Sequence, residues 1–177
     1  MDRTGYTIAP NTDRFTGFDV GITGDHSYIH EGKAFSVPIA IGSISAAYKV
    51  SFTTPATKYV HWRPAKVTTS AAYVALVLYE GDAYTSGTAV TPINRNRNSL
   101  AVSGMSMVKN STVTPAGTIV DIDGVGISGN PVSQGGGAGG AEHELVLKPN
   151  TKYTMLLTPT AATVVNFTPF WYEEDVG

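Results

Sequence analysis

Residues 47–53, with the sequence AYKVSFT, alternate apolar and polar side chains over the length of a typical strand. Successive side chains of a β-strand point to opposite faces, so Tyr48, Val50 and Phe52 share one face, while the lysine, serine and threonine between and after them share the other. A period of two is typical of a strand with one buried face. The following Thr54-Pro55 ends the strand, because proline lacks the amide hydrogen that a β-ladder needs.

Residues 72–79, AYVALVLY, are instead apolar on both faces. Eight residues are few for a core helix, and Glu80-Gly81-Asp82 then provides a turn. A short apolar run bounded by a turn signal is typical of a strand covered on both sides. The segment therefore predicts a central strand of a sandwich.

The same signals predict further strands, separated by turn residues at spacings of about 8–15 residues. They lie at 33–42, 58–69, 87–93, 100–108, 117–123, 142–148, 151–158 and 162–172. We expect an all-β protein, an antiparallel β-sandwich that is jelly-roll-like, since that topology accommodates long loops at both ends. Residues 28–177 are assigned to this domain. Residues 1–27 carry Gly, Asp and Thr without a sustained period and are expected to be an extended N-terminal arm.

The composition excludes several classes of function. With no cysteine, the chain has no disulfide framework, thiolate metal site or cysteine nucleophile. A formal net charge of −2 provides no basic face for nucleic acid or an anionic membrane, so neither partner is expected. No apolar run has the length of a membrane span, and the first residues lack the apolar core of a signal peptide. We expect a protein made in the cytosol and kept there or released by lysis.

Charged residues make up only 15% of the chain, against roughly 25% in ordinary domains. A surface rich in Thr and Gly with so little charge indicates neighbouring protein subunits, which also commonly cover exposed sheet edges. The glycine-rich residues 128–140 are expected to be either a mobile tip or backbone laid against another surface. Residues 147–153, LKPNTKY, predict a corner in which the hydroxyl of Tyr153 bonds back to the main chain.

Metal-binding patterns are weak. His26 and His30 are four positions apart, a spacing that brings two metal ligands together only on a helix. This segment is instead predicted to be a loop that leads into a strand. Asp121 and Asp123 match the start of a calcium loop, but the later ligands are missing, so two solvated carboxylates on one strand face are expected. We assign no metal and no cofactor.

Catalytic patterns are equally weak. Glu142 and Glu144 flank His143 and share a strand face, yet nothing favours a paired-carboxylate glycosidase over ordinary solvation. No Gly-x-Ser-x-Gly nucleophile elbow occurs. No catalytic residue is therefore assigned, and the protein is expected not to be an enzyme.

A series of short motifs, in the same order throughout, resembles the small β-rich head proteins of tailed bacteriophages. The motifs are HEGKAFS at 30–36, LYEG at 78–81, NRNRNS at 94–99, the glycine-rich residues 135–140, ELVLKPNTKY at 144–153 and WYE at 171–173. These relatives are decoration or cement proteins and related head-fibre domains. The resemblance implies a jelly-roll-like homotrimer bound to the major capsid protein on the outer surface of the virion, made in the cytoplasm of a bacterial host.

The stretch PINRNRNSL at residues 92–100 has two interpretations. Its asparagines, Asn94, Asn96 and Asn98, tolerate left-handed backbone and bond their own main chain, which holds a tight loop while Arg95 and Arg97 project the same way. Two guanidiniums so placed suit bidentate pairing with carboxylates of another subunit or of the capsid. The alternative is that acids of the same domain hold the loop. The candidate acids are Glu80, Asp82 and Glu142.

An alternative function is host attachment, by a head-fibre or receptor-binding module that holds surface glycan on exposed aromatic side chains. The candidate aromatics are Trp62, Phe167, Phe170, Trp171 and Tyr172. Aromatic residues that alternate in sandwich strands are, however, more often part of the core. A glycan hydrolase is a third possibility for which no acid pair can be named.

Overall fold

The computed structural model describes residues 24–114, 117–126 and 144–176. It contains one helix in these ranges, α1 (Gly24–His30), and fourteen strands. The strands are β1 (Ala34–Ser36), β2 (Ile39–Ile44), β3 (Tyr48–Thr53), β4 (Lys58–Thr69), β5 (Val74–Glu80), β6 (Ala83–Thr85), β7 (Thr88–Val90), β8 (Ile93–Asn94), β9 (Ser106–Lys109), β10 (Thr112–Thr114), β11 (Thr118–Val125), β12 (Leu145–Leu147), β13 (Lys152–Pro159) and β14 (Thr163–Asp175).

The strands form two large antiparallel sheets packed as a sandwich. The first sheet has the order β12-β4-β14-β1-β8, with β2 also paired to β14. The second has the order β11-β5-β13-β3-β9-β7, and β6 pairs with β10 in a small separate ribbon. Every strand pair is antiparallel. The predicted all-β antiparallel sandwich is confirmed.

The core lies between the two sheets and is formed by alternate residues of their strands. In β5, Val74, Leu76 and Leu78 are buried while the residues between them are partly exposed. In β3, Val50 and Phe52 are fully buried, as the alternation predicts. The sequence correctly identifies the inward face of β3 because burial follows the period of two. In β5, which is apolar on both faces, the outward residues are partly exposed rather than covered.

The polar face of β3 is less exposed than the sequence predicts. Ser51 is fully buried, and its hydroxyl lies 2.7 Å from that of Ser111 and 2.9 Å from that of Thr154. Because each hydroxyl has a partner, burying this face leaves no unsatisfied polar group there.

The predicted strand boundaries hold best for β4, which spans residues 58–69 as expected. The predicted strand at 100–108 is wrong in its first half, because residues 100–105 form a loop and only Ser106–Lys109 pair. The prediction at 87–93 divides into β7 and the start of β8. The glycine-rich residues 128–140 and the candidates Glu142 and His143 lie outside the described ranges.

The interpretation of residues 25–31 as loop and strand entry is wrong. Residues 24–30 are helical, and the rings of His26 and His30 stack at 4.7 Å. The segment lacks an apolar helical period, and seven residues are too few for a helix to be stable alone. Contacts of Tyr28 with the first sheet stabilise it instead. Of the predicted extended arm at 1–27, residues 24–27 belong to this helix, which corrects that boundary, and residues 1–23 lie outside the described ranges.

The corner predicted at residues 147–153 is confirmed. The backbone N–H of Lys148 donates to the hydroxyl of Tyr153 at 2.9 Å, and that hydroxyl donates to Glu80 at 2.8 Å. Asn150 adopts a positive φ of 48° in the turn. Burial and the hydrogen bond to Glu80 raise the pKa of the Tyr153 phenol, so the group remains a neutral donor.

No helix among the described residues is long and apolar enough to cross a membrane.

Candidate functional site: an anchored loop at residues 94–104

The loop at residues 94–104 crosses one side of the sandwich. It begins in β8, the last strand of the first sheet, and leads into β9, next to the last strand of the second sheet. We refer to residues 94–104 as the anchored loop, because buried polar side chains hold both of its ends.

Asn94 holds the first end. It is 8% exposed, and its side-chain amide donates to the carbonyls of Gly32 at 2.7 Å and Ala101 at 3.0 Å. Its side-chain oxygen accepts the backbone N–H of Asn96 at 2.9 Å. One carboxamide therefore joins the loop to the segment before β1 and also closes the loop on itself.

Asn96 continues the same pattern. Its side-chain oxygen accepts the N–H of Asn98 at 3.1 Å, and its amide donates to the carbonyl of His30 at 3.0 Å. The prediction that these asparagines bond the main chain is thus confirmed for Asn94 and Asn96. The asparagines of this loop do not adopt left-handed backbone, because the described non-glycine residues with positive φ are Ser86, Asn110 and Asn150.

Glu173 holds the second end. Its side chain is fully buried and accepts hydrogen bonds from the hydroxyl of Ser103, the N–H of Gly104 and the indole of Trp171. Lys58 lies 3.5 Å away and balances its charge. A buried carboxylate is tolerated only when hydrogen bonds and charge replace its hydration, so these contacts rigidly define the loop position.

Gly104 is required at this end because of close packing. A Cβ atom there would lie 2.9 Å from the ring of Pro55, closer than real Cβ contacts occur. A larger residue would push the loop away from Glu173.

The two arginines of the loop are exposed and have no acidic partner among the described residues. The guanidinium of Arg95 lies over the ring of Phe170, 5.0 Å from its centroid. Arg97 makes a long contact of 3.5 Å with the carbonyl of Asn94. Of the acids considered for an internal contact, Glu80 binds Lys148 and Asp82 accepts the N–H of Gly117, while Glu142 lies outside the described ranges. With respect to the described residues, both guanidiniums are therefore available to carboxylates elsewhere.

The loop also presents two aliphatic side chains that the sequence assigned to a strand. Leu100 is 98% exposed and Val102 is 82% exposed. Ala101 between them is tied by its carbonyl to Asn94 and by its N–H to the hydroxyl of Ser99. In the sequence, Leu100 and Val102 are two positions apart, as the residues of one strand face are. The sequence therefore could not show that these side chains lie on an exposed loop.

A second cluster of polar and aromatic groups lies on the outer face of the first sheet. Tyr172 stacks between Tyr28 at 4.0 Å and His61 at 4.3 Å. The two ring nitrogens of His61 face Glu144 at 2.8 Å and Glu174 at 3.2 Å. We call these five residues the α1 clamp, since Tyr28 is the part that α1 contributes.

Charge and hydrogen bonding in the α1 clamp shift several pKa values. Burial acts to raise the pKa of Glu144, but hydrogen bonds from Tyr172 and His61, with the charges of His61 and Arg63, lower it overall. The hydrogen bond to Glu174 raises the pKa of Tyr28 to about 12. Burial and Glu144 likewise raise the pKa of Tyr172. Within the described ranges, no group of three or more acidic or histidine side chains is arranged to hold a metal ion.

The aromatic residues considered for glycan stacking lie mainly in the core. Trp62, Phe167 and Trp171 are at most 3% exposed, and Tyr172 is 9% exposed beneath Tyr28. Phe170 lies under Arg95. These side chains form no open platform for a sugar ring.

Comparison of the chain with protein-family models, with curated proteins and with solved structures found no match.

Proposed function

We propose that the protein is a non-enzymatic structural component of a tailed-bacteriophage virion that binds the outer surface of the capsid and stabilises it. The motif order described above supports this role. The strand order supports the jelly-roll-like part of the proposal. Strands β2 to β5 alternate between the sheets, and β11, in the same sheet as β5, begins a second alternating series through β14.

The observation that carries the proposal is the anchored loop. Arginine and exposed aliphatic groups are suited to a protein interface, where arginine is enriched and apolar anchors supply affinity. Because Asn94 and Glu173 already hold the loop, binding loses little conformational entropy. We assign Arg95 and Arg97, supported by Asn94, Asn96 and Asn98, to a contact with another subunit or with the major capsid protein.

Stabilisation of the capsid follows from mass action. A protein that binds the mature lattice but not its dissociated subunits adds its binding free energy to the stability of the lattice. If the protein is a homotrimer, three linked contacts also increase the apparent affinity without any new interaction. Neither step requires a cofactor or a chemical reaction.

Co-sedimentation with expanded capsids that lack the protein tests the proposal. We expect binding to saturate at a fixed ratio to the capsid protein. The double substitution Arg95→Ala with Arg97→Ala should reduce binding at least about tenfold, the equivalent of one or two lost charged contacts. Lys66→Ala removes an exposed cation that is not part of the loop, and as the control it should bind normally.

Circular dichroism of the same samples separates binding from folding. The double variant should retain the wild-type spectrum, because both guanidiniums are exposed. Loss of folding would assign the arginines an internal structural role. A folded wild-type protein that does not sediment with capsids would overturn the proposed function.

A further inference from the structure

The α1 clamp contains a histidine whose two ring nitrogens both face carboxylates. Nδ1 of His61 lies 2.8 Å from Glu144, and Nε2 lies 3.2 Å from Glu174. A carboxylate only accepts hydrogen bonds, and a neutral imidazole carries a single N–H. The neutral ring can therefore satisfy one of the two contacts, whereas the protonated ring satisfies both.

The phenols of the clamp do not supply the hydrogen that this pair of contacts needs. Tyr28 donates to the other oxygen of Glu174, and Tyr172 donates to Glu144. Each phenol thereby uses its only O–H. The second hydrogen bond of His61 needs a proton from solution, and imidazole side chains gain or lose such a proton near neutral pH.

Protonated His61 also balances the carboxylates around it. Arg63, two positions along β4, donates to Glu144 at 3.1 Å, so two cations of one strand face two carboxylates. Loss of the imidazole proton leaves an excess of negative charge, and the lone pair of Nε2 then faces Glu174. A lost hydrogen bond and Coulomb repulsion act together at the carboxylate that holds Tyr28.

Other titratable groups belong to the same elements or follow them directly. They are Tyr59 on β4, Asp175 on β14, His26 and His30 on α1, and Glu31 and Lys33 after α1. Glu31 and Lys33 pair with each other at 2.7 Å, and the rings of the two α1 histidines stack. Protonation of both stacked rings makes them repel each other, which favours release of α1 at low pH. This effect is opposite in direction to that of His61.

Helix α1 connects the clamp to the anchored loop. Tyr28 holds α1 on Tyr172, and the carbonyl of His30, at the end of the helix, accepts the side-chain amide of Asn96 at 3.0 Å. The carbonyl of Gly32 accepts the side-chain amide of Asn94 at 2.7 Å. Displacement of α1 therefore removes support from the first end of the loop.

We propose that the α1 clamp is a pH-sensitive switch in which protonated His61 keeps α1 on the first sheet and deprotonated His61 releases α1 and loosens the anchored loop. At a pH above the range in which carboxylates titrate, the docked state binds the proton more tightly than the released state. Docking is therefore strongest where the ring is protonated and weakens as the pH rises through its titration. The switch regulates the contact surface assigned above, and that part of the inference rests on the proposed function.

Hydrogen exchange of the full-length protein at about pH 5.5 and about pH 8.5 tests the switch, because histidines change charge between these values. Each rate is compared with that of an unstructured peptide at the same pH. The N–H groups of Glu31 and Lys33 donate to the carbonyls of Ser27 and Tyr28 at 2.9 Å, so their protection reports the formation of α1. We expect this protection to fall at least about tenfold at the higher pH, the equivalent of one hydrogen bond between charged groups.

Two further sets of amides show how far the effect extends. The N–H of Asn98, which donates to the side chain of Asn96 at 3.1 Å, should lose protection together with α1. The amides of β13, which lies between β5 and β3 in the second sheet, should keep their protection at both pH values.

Two glutamine substitutions should each remove the pH dependence, with opposite results. His61→Gln presents one N–H end and one carbonyl end at every pH, as neutral imidazole presents one donor and one acceptor, so α1 should be poorly protected at both pH values. Glu174→Gln can turn either its N–H or its oxygen toward Nε2, so it pairs with both forms of the ring and α1 should stay protected. His26→Gln is the matched control and should keep the pH dependence of wild type.

Equal protection of α1 at the two pH values in wild type overturns the inference, as does a pH dependence that persists in His61→Gln. If His61→Gln does not fold, a wild-type pH dependence in Glu174→Gln overturns it in the same way. Loss of protection in α1 without any loss at Asn98 overturns the link to the loop.

Capsid co-sedimentation of the same samples tests the function separately. Wild type should bind capsids more weakly at the higher pH, and Glu174→Gln should bind equally at both. A switch that operates in a protein that ignores capsids contradicts only the capsid role. Capsid binding that is equal at both pH values, in a protein whose α1 is released, contradicts only the regulation.

Discussion

At the scale of single residues, Glu173 shows how one buried carboxylate positions an exposed loop. Its oxygens accept hydrogen bonds from Ser103, Gly104 and Trp171, and Lys58 supplies a positive charge nearby. The loop and the core indole therefore share one acceptor. A change at this residue affects the exposed loop and the core together.

Glu173→Gln should lower the free energy of unfolding by about 2–4 kcal/mol. The amide nitrogen of glutamine is a donor, so it cannot accept the hydrogen bonds that a carboxylate oxygen of Glu173 accepts from Ser103, Gly104 and Trp171. Urea denaturation measures this loss, and hydrogen exchange at Gly104 should accelerate. Glu31→Gln is the matched control, since Glu31 is exposed and its ion pair with Lys33 contributes little. Equal stability of the Glu173 variant and wild type would show that the loop does not depend on this carboxylate.

Tyr153 is the second residue with a testable role. Tyr153→Phe keeps the ring but removes a hydroxyl that accepts from Lys148 and donates to Glu80. We expect a loss of about 1–3 kcal/mol in the free energy of unfolding, because the part-buried N–H of Lys148 and the carboxylate of Glu80 both lose a partner. Tyr59→Phe, at a tyrosine that is 39% exposed, should change stability by less than about 0.5 kcal/mol. If the two variants lose equally little, the corner is not a source of stability.

At the scale of secondary-structure elements, β14 organises both faces of the first sheet. Its inward residues, Phe167, Trp171 and Glu173, face the core. Its outward residues, Tyr172 and Glu174, belong to the α1 clamp. The short helix α1 is thereby attached to the longest strand of the described chain.

The α1 clamp should make stability depend on acidic pH. The folded-state pKa of Glu144 is below its ordinary value of 4.5, so its contribution is complete above that pH and is lost as the pH falls through the folded value. We expect Glu144→Gln to make the fall in unfolding free energy between about pH 5 and 3 shallower than in wild type. Denaturant titrations across this range measure the slope.

The control for this prediction is Asp175→Asn, at an exposed carboxylate at the end of β14. For this variant, the unfolding free energy should change with pH as steeply as it does for wild type. An unchanged slope for Glu144→Gln would mean that the acid sensitivity arises from other groups.

At the scale of the whole molecule, stacked aromatic rings join the two sheets. Phe52 of the second sheet stacks on Trp62 of the first with ring centroids 4.7 Å apart, and Tyr153 lies 5.4 Å from Phe52. Trp171 continues the series at 6.3 Å from Trp62. Such pairs add to the free energy gained from burial. The sandwich has a continuous core whose described members begin at Ala34.

Deletion of residues 1–20 should therefore leave the domain folded, with a thermal midpoint within a few degrees of wild type. We also propose that this segment adds contact area on the capsid, so its deletion should lower the affinity for capsids. Thermal unfolding and capsid co-sedimentation measure the two effects on one sample. Unchanged affinity would remove this segment from the attachment site.

The sequence by itself determined most of the strands, the inward face of β3, the tyrosine corner and the bonds that the side chains of Asn94 and Asn96 accept from the amides two residues further on. Each of these depends on neighbours only a few positions away, through the period of two or through turn chemistry. The same period of two also gave a wrong prediction, because it assigned Leu100 and Val102 to a strand.

Only the tertiary structure decided the helical state of residues 24–30, the exposure of Leu100 and Val102 and the contacts of Glu173 and His61. Glu173 meets Gly104 across 69 positions of sequence, and His61 meets Glu144 across 83. Such contacts exist because the order of strands in the sheets brings distant residues together. A local pattern of side chains carries no information about that order, so it cannot identify these partners.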